Sequence, residues 1–227
     1  MQRQEIAGDL VSFSSNLIKK NKIDVPRASK KIVNGMPAIL KEIKKKGLPN
    51  YLVIKKLKKK LGYGVFLHPD AKPILKGSPI APYSGKVSLC PQNMGGDSDY
   101  IFSLIPDLRL TKEEQRRWDP TRRYHPRRLY SLELDAYKKG NFTRFINHSE
   151  EPNVEAHLVR IPSNSVGLEP VPFELVYVAK KTIYPGEQLL VCYEGEDKSY
   201  WGVLKIKPFP ITPRTFFLNK SCKIVAS

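Results

Sequence analysis

The segment from Asn141 to Asn153, NFTRFINHSEEPN, constrains this chain more than any other. Its large apolar side chains favour burial, yet they alternate with fixed hydrogen-bonding groups at Arg144, Asn147, His148, Ser149 and Asn153. A buried amide, imidazole or hydroxyl group that lacks a partner costs several kcal/mol, so each of these groups needs one. We therefore predict a semi-buried strand and turn built around a polar ligand.

Four further motifs surround this segment in the chain. LGYGVF at 61–66 and PIAPYSGKV at 79–87 precede it, followed by DYIFSL at 99–104 with LDA at 134–136. IYPGEQLLVCY at 183–193 comes after it. In this order the motifs resemble the SET-domain family of protein lysine methyltransferases, and together they are far more specific than any one of them alone.

The resemblance implies an α+β, mainly β fold: the SET-domain arrangement of small sheets around a knot-like core, here with an N-terminal helical extension. We expect a basic helical extension at 1–48, the SET domain at 49–202 with a basic insert at 109–128, and a C-terminal tail at 203–227 that packs on the domain. The short basic chain further resembles the bacterial, chlamydial-type SET proteins that methylate histones or histone-like proteins.

By the same resemblance, Tyr193 is the catalytic residue, whose hydroxyl would orient the substrate amine and the transferred methyl group. A strong base is not implied, because an ordinary phenol is protonated at pH 7. The resemblance assigns S-adenosylmethionine binding to Gly62, Tyr63, Gly64, Tyr83, Arg144, Phe145, Asn147, His148 and Trp201. We also predict substrate binding at Tyr100, Glu194 and Glu196, since acids near the catalytic end of a basic protein suit a cationic, lysine-bearing substrate. For Trp201, stacking on adenine and packing in the core are equally supported.

Methyl transfer to lysine requires a neutral amine as the nucleophile. With an ordinary pKa near 10.4, a lysine side chain is neutral at pH 7 in only about one molecule in 2,500. An apolar channel and a nearby cationic sulfonium would both disfavour the ammonium form, and alignment of amine with methyl would lower the entropic cost.

The apolar spacing predicts two N-terminal helices, at 6–20 and 27–46, and Pro37 predicts that the second is kinked or divided into two. These helices either pack on the domain or make a homodimer contact. Thr111 is predicted to cap a helix at the start of the insert. Short β-prone runs lie at 51–56, 64–67, 80–87, 100–104, 129–134, 154–161 and 173–179.

The net charge of +17 is concentrated at the front of the chain. Residues 1–60 contain 16 Lys or Arg and 4 Asp or Glu. Binding to nucleic acid, or to a nucleoprotein that carries the substrate, and a merely solubilising lysine-rich surface are equally supported. In the insert at 109–128, packing of Trp118, Tyr124 and His125 is favoured over stacking on nucleic acid.

The three cysteines are far apart and lack metal-ligand spacing, which predicts neither a disulfide framework nor a metal site. No apolar stretch is long enough to cross a bilayer, and the N-terminus does not resemble an export signal. We expect a soluble protein of a reducing compartment: the bacterial cytoplasm or, for a secreted effector, the host nucleus.

The sequence thus predicts S-adenosylmethionine-dependent methylation of lysines on a histone or a bacterial histone-like protein. The alternative is a catalytically silent SET-like scaffold that binds nucleic acid or chromatin through its lysine-rich front. Methylation of another target, such as a ribosomal protein, is a third hypothesis.

Overall fold

The computed structural model describes residues 16–57, 62–92, 100–160 and 173–193. In these ranges the chain is α+β with a majority of strand, which confirms the predicted fold class. Residues 16–20 are helical, and two further α-helices follow, α1 (Lys30–Lys46) and α2 (Lys112–Trp118), with a 3₁₀ helix at Phe142–Phe145. The strands are β1 (Leu52–Lys56), β2 (Tyr63–Leu67), β3 (Pro79–Pro82), β4 (Lys86–Pro91), β5 (Ile101–Arg109), β6 (Leu129–Asp135), β7 (Asn147–His148), β8 (Val154–Val159), β9 (Glu174–Ala179) and β10 (Leu190–Val191).

These strands form three sheets. Strands β1 and β2 make an antiparallel pair, and a three-stranded antiparallel sheet has the order β4-β6-β5. The five-stranded sheet has the order β3-β9-β8-β10-β7, in which the two-residue strand β10 pairs in parallel with both of its neighbours. No helix among the described residues has the length and apolar character needed to cross a bilayer.

The chain divides into two compact units, each assembled from separate segments. The first unit draws on residues up to 28, on 83–140 and on 158–175; the second draws on 29–82, on 141–157 and on residues from 176 onward. The predicted extension at 1–48 therefore contributes to both units, and the predicted domain bounds stay a prediction.

Helix α1 belongs to the second unit and is one continuous helix. Ser29 caps it by accepting a hydrogen bond from the backbone N–H of Ile32, and Gly47 ends it with a left-handed φ of 82°. Pro37 lies inside this helix, so the prediction of two shorter helices is wrong. An interior proline costs about 3 kcal/mol, but the buried side chains of Ile32, Met36 and Ile39 offset that cost by packing on the unit.

The predicted strand at 80–87 is two strands, β3 and β4, which belong to different sheets and are separated by residues 83–85. Glycine is required at 85, because a Cβ at this position would lie 2.6 Å from the backbone oxygen of Asp135. Strand β4 then pairs with β6 in the register Lys86 to Asp135. Strand β5 also differs from its prediction, since it continues to Arg109 rather than ending at 104.

The core of the first unit forms around strands β5 and β6. Residues of the N-terminal helix and of the loop that follows it are buried together with side chains of these strands. The members are Leu17, Ile18, Val25, Ile105, Leu108, Leu110, Tyr130, Leu132 and Phe173. Helix α2 begins beside this core, and Thr111 is its cap as predicted, in a reciprocal capping box with Glu114.

Candidate active site

The parallel pairing of β7 with β10 brings two distant motifs of the second unit together. Leu190 lies opposite Asn147, and Val191 lies opposite His148. The backbone N–H of Ser149 extends the pairing by donating to the carbonyl oxygen of Val191 at 3.0 Å. Because Tyr193 follows β10 by two residues, this register fixes where the tyrosine reaches the central motif.

Tyr193 is held at both ends by the 146–148 segment. Its backbone N–H donates to Nδ1 of His148 at 2.9 Å, and its hydroxyl donates to the carbonyl oxygen of Ile146 at 2.6 Å. The two rings lie 5.4 Å apart between centroids. The tyrosine side chain is 37% exposed, whereas His148 is buried. The phenol is thus fixed while it still reaches the surface.

The hydrogen bonds define the chemical state of both rings. Nδ1 of His148 must carry a lone pair to accept the N–H of Tyr193, which assigns the proton of the neutral imidazole to Nε2. The phenolic proton of Tyr193 points at a carbonyl oxygen, so the phenolic oxygen presents lone pairs to any further donor. This geometry suits a hydrogen-bond acceptor rather than a base.

The glycine-containing strand β2 joins the same cluster. The side-chain amide of Asn147 donates to the carbonyl oxygen of Tyr63 at 2.8 Å. The Tyr63 ring meets Phe145 edge to face at 5.6 Å between centroids, and the guanidinium of Arg144 lies over the Phe145 ring at 5.2 Å. The resulting surface combines a cation, two aromatic rings and a backbone strand.

The two glycines that flank Tyr63 have different surroundings. Gly62 has a left-handed φ of +61°, and a Cβ added there would meet nothing within 4 Å among the residues that the structure describes. A Cβ on Gly64 would instead lie 2.7 Å from Nε2 of Gln188, which is fully buried. The space beside Gly62 is open, and the space beside Gly64 holds the Gln188 amide.

Two asparagine side chains of the central segment are hydrogen-bonded to backbone groups. The fully buried Asn153 donates to the carbonyl oxygen of Gln188 and accepts from the N–H of Leu190, both at 2.8 Å. Asn141 donates to the carbonyl oxygen of Pro82 at 2.8 Å and caps the 3₁₀ helix. Both amides therefore hold the chain itself, and the prediction of a polar ligand rests on the other polar groups of the segment.

Comparison with known proteins identifies the family. The model of the SET domain matches residues 62–194, which is more than half of the chain. The chain belongs to the SET-domain family.

The relatives of this SET domain match it over limited lengths. It is 35% identical over 60 residues to a protein of Cryptococcus neoformans var. neoformans serotype D (strain B-3501A) described as "Histone-lysine N-methyltransferase, H3 lysine-4 specific". The match covers 26% of this chain and 4% of that protein.

Solved structures similar to this SET domain include ATXR5 in complex with histone H3.1, at 18% identity, a TM-score of 0.52, and coverage of 78% of this chain and 71% of that one. The TM-score shows a shared fold. Another is KRYPTONITE in complex with DNA, an H3 peptide and SAH, at 26% identity, a TM-score of 0.42, and coverage of 69% and 26%.

Seven of the predicted cofactor residues and the predicted catalytic tyrosine lie in the second unit of this SET domain. They are Gly62, Tyr63, Gly64, Arg144, Phe145, Asn147, His148 and Tyr193. Nearby, the carboxylate of Glu187 accepts the N–H of Tyr184 at 2.9 Å. Within the described ranges, no group of three His, Cys, Asp or Glu side chains is arranged to hold a metal ion.

Tyr83 and Tyr100 belong to the first unit. The hydroxyl of the buried Tyr83 donates to the backbone oxygen of Tyr100 at 2.9 Å, and its ring lies 6.1 Å from that of Phe102. Asp135 in the same unit accepts the N–H of Tyr137 at 2.8 Å. The assignments of Tyr83 to cofactor and Tyr100 to substrate stay predictions.

Three predicted residues, Glu194, Glu196 and Trp201, lie outside the described residues. Two groups at the site were not predicted. The carbonyl oxygen of Ile146 has no signature in a sequence, because every residue has such a group. Gln188 could have been suspected, since it is the polar residue that directly precedes the apolar run before Tyr193.

Proposed function

We propose that this SET domain transfers methyl groups from S-adenosylmethionine to lysine side chains of a basic, DNA-associated protein, either a histone or a bacterial histone-like protein. The observation that carries the proposal is the double anchoring of Tyr193. Its N–H and its hydroxyl are both bound by the segment that contains Asn147 and His148. A tyrosine that merely filled a core would not be 37% exposed at such a junction.

The residues present fit an adenosyl cofactor that carries both charge and an aromatic base. Gly62 offers open backbone, Tyr63 is 37% exposed, and Arg144 adds a cation above an aromatic ring. The residues that would hold the cofactor are Gly62, Tyr63, Arg144, Phe145, Asn147 and His148. S-adenosylmethionine supplies an electrophilic methyl group on a sulfonium when it is bound.

Orientation and deprotonation of the substrate lysine depend on residues of the chain. The lone pairs of the Tyr193 oxygen would accept an N–H of the substrate lysine and so fix the direction of the amine lone pair. His148 acts as a positioning residue, because its Nδ1 holds the tyrosine backbone. Deprotonation of the lysine would be favoured by its desolvation in the site.

The substrate class is supported by the relative described as a histone-lysine N-methyltransferase. The basic character of this chain suits the nucleic acid with which such a substrate is associated. A ribosomal protein is the other basic substrate we consider. The silent scaffold is the competing function, and the retained Tyr193 with Asn147 and His148 favours the enzyme over it. The bacterial lineage and the compartment, cytoplasm or host nucleus, stay predictions.

The test is methyl transfer from labelled S-adenosylmethionine to purified histones, a bacterial histone-like protein and ribosomal proteins. We expect Tyr193→Phe to lower the rate about 100-fold or more, because one fixed hydrogen-bonding group of an active site is commonly worth that much. Tyr184→Phe is the matched control, since this tyrosine is 54% exposed at a turn of the same unit. Label on no substrate would favour the scaffold, and equal rates for Tyr193→Phe and wild type would overturn the catalytic assignment.

A further inference from the structure

The basic insert at 109–128 carries exposed cations that the fold does not use. All of its residues are described, and five exposed side chains have no hydrogen-bonding or ion-pair partner among the residues that the structure describes. We call them the cationic surface: Arg109, Lys112, Arg116, Arg123 and Arg127.

The acids that could neutralise this surface are mostly paired elsewhere. Asp119 is buried and binds Arg122 at 2.7 Å, and it also accepts the hydroxyl of Tyr130 at 3.0 Å. Glu114 binds Lys20 at 2.7 Å. Of the three acids in the insert, this leaves Glu113 facing solvent. The insert therefore presents a concentrated positive charge.

The loop that carries two of these cations is fixed rather than loosely solvated. Gln115 is 2% exposed, and its amide donates to the carbonyl oxygen of Arg122 at 2.8 Å while its oxygen accepts the N–H of His125 at 3.4 Å. Nη1 of Arg128 donates to the carbonyl oxygen of Arg123 at 2.9 Å. A buried amide and an arginine thus fix the shape of this loop. The exposed side chains of Arg123 and Arg127 have no hydrogen bond or ion pair within the described chain.

One cation on helix α2 does not serve the helix. Lys112 lies in the first turn, where a cation opposes the helix dipole, whereas the acids of the first turn and the arginines of the last turn are placed where the dipole favours them. Lys112 also shares a helical face with Arg116 four residues later, and like charges at this spacing lower helix stability. A ligand of opposite charge would offset this cost.

We propose that the cationic surface binds the phosphate backbone of nucleic acid, independently of base sequence. Seven of the eight cations in the insert are arginines, whose planar fork suits phosphate oxygens. An acidic protein is a poorer match, because protein interfaces have an apolar core and the insert exposes only Tyr124 among its large hydrophobic residues. Trp118 does not offer an open ring for base stacking, since the guanidinium of Arg117 lies over it.

The experiment measures binding of a fluorescent DNA duplex by anisotropy over a series of salt concentrations. The variant Arg116→Ala/Arg123→Ala/Arg127→Ala removes three cations of the surface. Lys41→Ala/Lys44→Ala/Lys45→Ala is the matched control, since it removes three exposed cations from helix α1 in the second unit. Circular dichroism checks that both variants fold.

We expect the insert variant to lose at least tenfold in affinity at 100 mM salt, and the slope of log K against log salt to fall by about 0.9 for each phosphate contact removed. The helix α1 control should stay within about twofold of wild type. An equal loss in both variants would overturn the assignment to this surface. So would displacement of the duplex by polyglutamate at equal charge concentration, which would assign the surface to acidic proteins.

A second variant tests the fixed loop without changing charge. Gln115→Met has a similar volume but cannot hold the backbone at Arg122 and His125, so we expect weaker binding with the net charge unchanged. Affinity equal to wild type would show that the loop geometry is irrelevant and would overturn the inference that this surface is a built site.

Discussion

Polar groups serve opposite purposes in two regions of this molecule. In the segment at 141–153 and the strand that pairs with it, amides and an imidazole are turned inward and hold backbone. In the insert at 109–128, cations are turned outward, and the inward polar groups serve only to shape the loop. The comparison teaches that a high density of polar residues does not by itself indicate a ligand site. The deciding observation is whether their side chains are already hydrogen-bonded to the backbone.

Asn153→Ala should break the inward-facing region most severely. It would leave the carbonyl oxygen of Gln188 and the N–H of Leu190 buried without partners, at about 1–3 kcal/mol each. We expect a loss of about 2–5 kcal/mol in the free energy of unfolding, measured by urea denaturation. The exposed Asn34 on helix α1 supplies the control, since Asn34→Ala should change stability by no more than about 0.5 kcal/mol. Similar values for the two variants would contradict the structural role of Asn153.

The glycine positions give the next largest effect. Gly64→Ala should cost about 1–3 kcal/mol because its Cβ would overlap the buried Gln188 amide. Gly62→Ala should cost about 1–2 kcal/mol for a different reason, its left-handed backbone. A double-mutant cycle separates them: Gln188→Ala should relieve part of the cost at 64 and none at 62. Additive behaviour at position 64 would refute the overlap.

Glu114 tests how far the insert depends on its ion pair with Lys20. Burial raises the pKa of this carboxyl, but the hydrogen bond and charge of Lys20 and the N–H of Thr111 outweigh it and hold the pKa below 4.5. A lowered pKa stabilises the fold above pH 4.5, and this contribution is lost as pH falls through the lowered value. Glu114→Gln should therefore cost less than about 1 kcal/mol at pH 7, since the pair is partly exposed, and the difference from wild type should vanish in acid. A difference that persists below pH 3 would point to the capping box alone.

The smallest effect on stability should come from the cationic surface. Removing the side chains of Arg116, Arg123 and Arg127 should leave the free energy of unfolding within about 0.5 kcal/mol of wild type. The reason is that none of these side chains forms a hydrogen bond or ion pair in the described chain. The same variant is expected to lose nucleic-acid affinity. A large destabilisation would show that these cations stabilise the fold and would erase the contrast between the two regions.

Features that depend on residues close together in the sequence were predictable. Features that depend on contacts between distant segments were less so. The cap at Thr111 depends only on residues within three positions of it, and it was predicted. The break between β3 and β4, which belong to different sheets, was missed, and so was the approach of Gly85 to Asp135, fifty residues away. Of the two alternatives predicted at Pro37, the division into two helices is wrong, because packing on the rest of the unit supports one continuous helix, and the kink stays a prediction.

The site was predictable to the extent that motifs mark it. The order of motifs predicted that Asn147, His148 and Tyr193 would act together, and the structure brings them into one cluster. The acceptor of the tyrosine hydroxyl could not be predicted, because a backbone oxygen leaves no trace in the sequence. Asn153 was noticed, but its type alone could not reveal that its amide faces the chain.

Strand β10 has a consequence for how the molecule is made. This strand is two residues long and lies between β7 and β8. Tyr193, which the 146–148 segment holds, follows it by two residues. On a ribosome, residues 62–160 emerge well before residues 190–193. Until β10 is synthesised, the edges of β7 and β8 that pair with it are unpaired or make other, temporary contacts. Because pairings between such distant segments form slowly, a nascent chain that stalls before position 190 would expose two unpaired strand edges to chaperones.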